Sequence, residues 1–503
     1  MGKIKIMLML VLAVMGLVLP GGVSHGAVNE LSVAIDFDMT EVDPARLKTS
    51  TDRLLIVNVY NGLLKFKPES CQIENDLAQS YAISPDGKVV TFKLRKGVKF
   101  HKGYGELTSS DVKFSIMRHL DPQAKSREFQ NFSVVDHVET PDKYTVKIFL
   151  KRPSMGFLGN LAYHGGAILS EKAANELGSK IGLQPIGTGP FQWGNWVSGS
   201  EIILNAHEDY FLGAPKMKKL IFKIVPEPSV CINAVQKGDI DYYTVMNSGA
   251  YRSMLKMKDK NFKTLKPFNI DIGYAWINCQ KEPTKELKVR QAIAHAVDLN
   301  AIVKSFGGMV NPNPSVLPRP LPSWTDKLPT YKYDVELAKR LLKEAGYEKP
   351  KIKIDYLKVE DYEEYAIMIK DYLAKIMDVE LVLVDLARWA ETARERNWDL
   401  FVVSPTRPTE DLYASGSFNS KAPNNFAGYE NPELDQIIEK ADMELNAAKR
   451  KALYVKMQEI MAANLPILVI AGDNGVVIMR KNLEGIRPEA HPGVVKFDRA
   501  YFK

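Results

Sequence analysis

The chain is 503 residues long, with 45% hydrophobic and 25% charged residues. That length accommodates roughly two to four domains, and the composition is that of a folded globular protein, which excludes intrinsic disorder, collagen and disulfide-dense mini-folds. The formal net charge is +7, from 67 Lys and Arg against 60 Asp and Glu. No basic block of the kind that tracks nucleic acid accompanies it, and a mean hydropathy of −0.18 argues against a polytopic membrane chain.

The first residues read as an address. Lys3 and Lys5 precede an apolar run over 6–19, then Pro20, Gly21 and Gly22 break any helix and Ser24, Gly26 and Ala27 supply small side chains. This order is that of a secretory signal peptide, and the run is shorter than the ~20 residues a bilayer span requires. Cleavage is expected after Gly26, with Ala27 as the alternative, leaving a mature charge of about +5 once two lysines are lost. No cysteine stands near the cleavage region, which argues against a lipid tether. Cys71, Cys231 and Cys279 show no CxxC spacing, so zinc and a redox dithiol are disfavoured. One disulfide with one thiol, or three buried thiols, both fit an exported chain.

Residues 31–37 alternate as a half-buried strand. Residues 89–95 form another, entered through SPDG at 84–87, where Pro presets a turn dihedral and Gly tolerates positive φ. Residues 144–150, 202–204 and 220–225 continue the strand pattern. Val289, Ala292, Ile293, Ala296, Leu299, Ile302, Val303 and Phe306 recur at helical spacing. Asp334 stands at an N-cap, with Leu337, Leu341 and Leu342 as the buried stripe and Gly346 closing the helix. A strand at 352–356, a helix over 362–377 and strands at 380–384 and 398–403 follow, so the second half is an α/β unit. The Pro-rich stretch 311–322 reads as a rigid surface loop.

The catalytic motifs fail. GVSHG at 22–26 matches a nucleophile elbow but lies in the leader, with no strand before it and no helix after. HExxH is absent, His207, Glu208 and Asp209 are adjacent along the chain and cannot converge on one ion, and GTGPFQWG at 187–194 lacks the GK[ST] of a phosphate loop. An exported α/β protein without a readable active site points to binding.

The segment LAQSYAISPDGKVVTFKLRKGVKFH at 77–101, with LTSSDVKFS at 107–115, resembles the signature of the family 5 extracellular solute-binding proteins, the peptide/nickel class that serves ABC importers. PIGTGPF at 185–191, GDID at 238–241, VRQAIAHAVD at 289–298, AKRLLKEAG at 338–346 and NNFAGYENPELDQII at 424–438 are similar to further segments of that family, in order, over nearly the whole mature chain. The resemblance implies an α/β, two-lobed periplasmic-binding-protein-like fold (type II, cluster C) with an inserted domain and a hinge. Mapped here, 1–26 is the leader, domain I is 27–60 with 187–268 and 484–503, domain II is the insert 61–186, and domain III is 269–483.

It also implies the mechanism: lobes that close on a small solute or peptide and deliver it to ABC permease subunits in the inner membrane, with no cofactor, no nucleic acid and a monomeric, periplasmic protein. Shifting such a lobe pair from about 1% to 99% closed takes about 5.5 kcal/mol of ligand preference, which aromatic walls and a few buried polar groups supply. The candidates are Tyr60 and Asn61 from domain I, and Tyr274, Trp276, Trp389, Thr406, Arg407, Asp411 and Tyr413 from domain III. In the family's peptide binders, a Trp-rich turn after the strand at 398–403 offers an aspartate to the peptide's amino terminus. Here a gapless reading puts Pro405 at that Trp and Pro408 at that Asp, while Glu410 or Asp411 reaches the place after a small shift. Arg407 suits a carboxylate or phosphate. The alternatives are a nickel chelate or other non-peptide solute, or a secreted enzyme or chaperone on the same fold. Nickel binding in the family resembles capture aided by a late-loop His, and none occurs between His295 and His491.

Overall fold

The computed structural model describes residues 29–245, 247–257, 261–266, 270–357, 361–404, 406–473, 475–488 and 494–503. Residues 1–28 with the GVSHG segment, Pro405 and His491 lie outside these.

Two large sheets organise the chain. The first has seven strands in the order Phe262–Leu265, Val476–Arg480, Tyr242–Val245, Glu30–Ile35, Lys219–Ile224, Glu201–Ala206, Phe191–Val197. Its central strand Glu30–Ile35 runs parallel to Lys219–Ile224, Leu31 facing Leu220 and Val33 facing Phe222. A parallel pair requires a long crossover. The chain between these two strands supplies it and holds within it a four-stranded antiparallel sheet ordered Ala78–Ile83, Val89–Leu94, Thr145–Leu150, Val135–Asp142. The second large sheet has six strands: Val310–Asn311, Ile467–Asp473, Ile272–Ile277, Leu400–Val402, Lys351–Leu357, Asp378–Val384.

The chain passes between the large sheets twice, after Phe262–Leu265 and after Ile467–Asp473. The strands on the two sides of these passages are themselves partners, Phe262–Leu265 with Val476–Arg480 in one sheet and Ile272–Ile277 with Ile467–Asp473 in the other. One apolar cluster, including Phe92, Phe157 and Phe191, fills the first lobe, and another, including Trp276, Trp398 and Tyr413, fills the second. A third spans the passages, joining Cys231 and Tyr243 to Ala275 and Ile277.

Local chemistry explains the element ends. Asp334 accepts from Leu337 N at 2.9 Å, and Gly346 at φ +88° ends that helix. In SPDG, Gly87 N donates to Ser84 O at 2.8 Å with Gly87 at φ +71°. Asp241 of GDID accepts from Ser32 N at 2.8 Å and from Arg480 at 3.0 Å, so this segment fastens three neighbouring strands.

Four expectations are corrected. The first strand ends at Ile35, and Phe37 is exposed. The helical spacing over 289–306 belongs to two helices, Leu287–Ala296 and Leu299–Ser305. Val297 is extended between them and Asp298 caps the second, accepting from Ala301 N at 3.0 Å. Both press on one core, so the apolar spacing runs through the break. The helix from Tyr362 stops at Leu373. The Pro-rich stretch is not a surface loop: Ser315 and Leu317 are fully buried, Val316 and Leu321 nearly so. Its apolar side chains seal the second-lobe cluster. Asn313 Nδ2 donates to the Ser315 and Leu317 carbonyls at 3.0 and 3.1 Å, and Ser315 Oγ donates to Gln458 Oε1 at 2.6 Å, which satisfies its polar groups.

Candidate functional site

The first lobe brings Tyr60 and Asn61 to the end of the helix Ser50–Val59, whose start is fixed by a Thr49–Asp52 capping box. PIGTGPF lies directly against that end. A Cβ on Gly187 would sit 2.2 Å from Val59 O, and one on Gly189 2.4 Å from Val59 C; only glycine permits this approach. His101 and His207 both donate to the Gly189 carbonyl, at 2.9 and 3.1 Å. Tyr60 is buried. Asn61 donates to Asp76 at 2.7 Å and accepts from Thr188 at 3.3 Å.

The second lobe contributes the strand Ile272–Ile277 and the segment after Leu400–Val402. Tyr274 and Trp276 project together into the second-lobe cluster, both essentially unexposed. The Tyr274 hydroxyl donates to Val316 O and the Trp276 indole to Val403 O at 3.0 Å, so their polar ends are turned to the protein's own backbone. Tyr413 is equally buried and donates to Ile270 O at 3.3 Å. Trp389 opens the helix Trp389–Glu395, half-buried, its ring 5.9 Å from Phe426. Thr406 donates to Asp271 at 2.5 Å, and burial raises the Asp271 carboxyl above its usual range. Arg407 is half-buried, and its guanidinium donates to the adjacent Thr406 carbonyl at 3.0 Å.

The two lobes touch along this line. The helix Gly156–Ala162 of the first lobe lies on the segment 409–411 of the second. A Cβ on Gly156 would stand 2.9 Å from Asp411 Cβ, and one on Gly159 3.1 Å from Thr409. Asp411 accepts from Tyr454 at 2.5 Å, and burial pushes its carboxyl up to about 7. Beside it, Asp442 accepts from Arg152 at 2.5 Å, Ser154 Oγ at 2.8 Å and Gly156 N at 3.2 Å. Its carbonyl takes the Met155 N–H at 2.8 Å. Next to the cluster that spans the passages, Ser248 donates to Asp361 and Glu364 at 2.9 and 2.5 Å, and Arg252 pairs with Glu364 at 3.2 Å.

The structure thus gathers Thr406, Arg407 and Asp411 in one segment, Asp411 lying against the first lobe, and leaves Tyr413 with Tyr274 and Trp276 within the second-lobe core. Arg53, Tyr163, Asp271 and Asp442 join this region without having been singled out from sequence; no motif marks them. The three cysteines are unpaired, with burial raising Cys71 and Cys231 to about 12.

Two α/β lobes joined by a double passage and meeting along a cleft are the architecture of the hinged periplasmic binding proteins. The chain belongs to the bacterial extracellular solute-binding proteins, family 5, whose middle region matches residues 72–426. It is 29% identical to the dipeptide-binding protein of Escherichia coli K12, over 85% of this chain and 86% of that one. Among solved structures it resembles the periplasmic binding protein DppA from Helicobacter pylori in complex with the peptide STSA, at TM-score 0.84 and 28% identity, covering 94% of this chain and 98% of the other. It also resembles MoaA from A. tumefaciens R10 in complex with mannopinic acid, at TM-score 0.83 and 28% identity, covering 95% and 100%. Proteins of this family bind small-molecule or peptide ligands and serve ABC permeases. No helix among the described residues is long and apolar enough to cross a membrane.

Proposed function

We propose that this chain is a monomeric periplasmic receptor that captures a peptide-sized solute by lobe closure and presents it unchanged to inner-membrane permease subunits. Its export rests on the leader at 1–26. It carries out no catalysis and binds no nucleic acid. The ligand lies between the end of the first helix, with Tyr60 and Asn61, and the segment Thr406–Arg407–Asp411–Tyr413, with Trp276, Tyr274 and Trp389 behind it.

The observation that carries this reading is the pairing of a double passage between sheets with direct contacts across the cleft, from Asp442 to Arg152, Ser154 and Gly156. A two-lobed body whose lips bond to each other has a closed form to be selected by a ligand. The three-domain division is proposed on the same grounds, with one refinement: the return into domain I falls near Gly475, supported by the pairing of Val476–Arg480 with Tyr242–Val245. The ligands of the relatives, peptides in two and mannopinic acid in a third, leave the ligand class to the chemistry of this cleft.

Mass spectrometry of solutes carried through native purification, with small-angle scattering before and after their removal, tests the proposal. A retained small molecule, and a larger radius of gyration without it, are expected; a chain that carries nothing and keeps one shape with every solute tried would refute it.

A further inference from the structure

We propose that the ligand carries an oxyanion, a carboxylate or phosphate group, gripped from both lobes at once by Arg53 and Arg407, and that no free amino group is needed for its capture. This deepens the solute-capture reading above and rests on it.

The geometry comes from one helix. Gly156–Ala162 lies against the 409–411 segment of the second lobe, and Tyr163 follows directly at its C-cap. The next turn, His164–Gly166, packs on the helix Ser50–Val59 that bears Arg53. Tyr163 therefore stands where the Arg53 helix of one lobe and the Arg407 segment of the other converge. The electrostatics agree: burial raises the Tyr163 hydroxyl, and the charges of both Arg53 and Arg407 draw it back down.

Neither guanidinium is neutralised. Among the described residues, neither Arg53 nor Arg407 meets a carboxylate within ion-pairing distance, and the Arg53 Nε is buried with no hydrogen-bond partner. The acidic groups nearby are all engaged. Asp52 accepts from Thr40, Lys48 and Thr49. Glu128 accepts from Asn131 at 2.6 Å and lies 3.9 Å from His164. Both side chains are half-buried, and an unpaired, partly desolvated positive charge is costly; two guanidinium forks close to one tyrosine are an arrangement that a bidentate oxyanion satisfies.

The carboxylates on the second-lobe side that could hold an ammonium are turned to the protein: Asp271 to Thr406, Asp411 to Tyr454, Glu410 to Ser323 N at 2.8 Å. The two unpaired guanidinium groups beside Tyr163 thus favour an acidic, amine-free or amine-blocked solute over a zwitterionic peptide.

Sulfate is the probe, against sodium chloride at equal ionic strength, on the mature chain stripped of bound solute. The wild type is expected to show a saturable rise in melting temperature and a smaller radius of gyration. R53Q and R407Q should each weaken apparent sulfate affinity about tenfold or more, and R53K and R407K, which keep the charge without the fork, should fall between. If Gln variants fold poorly, the Lys pair carries the comparison. Equal responses in wild type and variants, or none in wild type, overturn the clamp. Solutes extracted from fresh wild type give an independent readout. An acidic compound whose affinity falls in R53Q and R407Q supports the proposal. A neutral or cationic compound that compacts the wild type sinks the oxyanion and leaves solute capture standing. A chain that yields no solute and compacts with nothing fails at the underlying reading.

Discussion

Asp411 shows how one residue carries both packing and charge. It lies under Gly156, bonded to Tyr454, with Asp442, Glu410 and Arg450 as charged neighbours, and burial lifts its carboxyl to about 7. An unfolded Asp titrates near ~3.9. Between these values the folded chain holds a proton that the unfolded chain has released, so stability is full below about pH 4 and falls as pH rises through about 7. Urea unfolding across that range should show D411N losing less with rising pH, by about 1–4 kcal/mol. Asp36, Asp355 and Asp361, each raised by burial to about 6, account for the slope that remains. An unchanged slope would mean that Asp411 is ionised in the fold. Nothing in the sequence distinguishes Asp411 from Glu410 or Asp435 in this respect; its environment is built by Gly156 and Tyr454, at separations of 255 and 43 residues that periodicity cannot bridge. The aromatic candidates teach the converse. Tyr274 and Trp276 share one face of a strand, which sequence shows, but whether that face meets ligand or core depends on the Pro-rich stretch closing over it.

Among the elements, PIGTGPF at 185–191 is legible as a resemblance, while its physical reason emerges only where Val59 presses on two of its glycines. G189A would drive a Cβ into backbone that cannot yield. It should cost about 1–3 kcal/mol, read as a lower urea midpoint at unchanged m-value, and a stability within error of wild type would refute the steric account. The helix Gly156–Ala162 is the second such element. Its contacts with Asp442 cross the cleft mouth, where Arg152 is half exposed, so their worth is modest. D442A should raise the dissociation rate of the bound solute by up to about tenfold, with little change in the association rate. A dissociation rate equal to wild type would show that the contact does not hold the closed form. The caps at Asp334 and Gly346 and the turn at 84–87, by contrast, were fully readable, because each is settled within four residues.

Over the whole molecule, the two sets of contacts between lobes differ in kind. Asp442 bonds to Arg152, Ser154 and Gly156 of the other lobe, whereas the helices bearing Ser248, Arg252 and Glu364 pack in the apolar cluster that spans the passages. In a hinged pair of lobes, contacts at the moving edges are lost on opening and those beside the hinge are kept. E364Q should therefore lower the melting temperature by a few degrees, as loss of about 1 kcal/mol does, while solute dissociation stays as in wild type; D442A should do the reverse. Finding both variants altered in both measurements would deny the distinction. Sequence patterning separated a strand-rich half from an α/β half, but which side of a bend each ion pair occupies is a property of the assembled body.

Because the strand that enters each passage pairs with the strand that leaves the other, the pivots stand next to each other like the knuckles of a door. A door so hung swings about one line. A hinge of that kind lets solutes of different shape draw the lobes to one and the same closing angle.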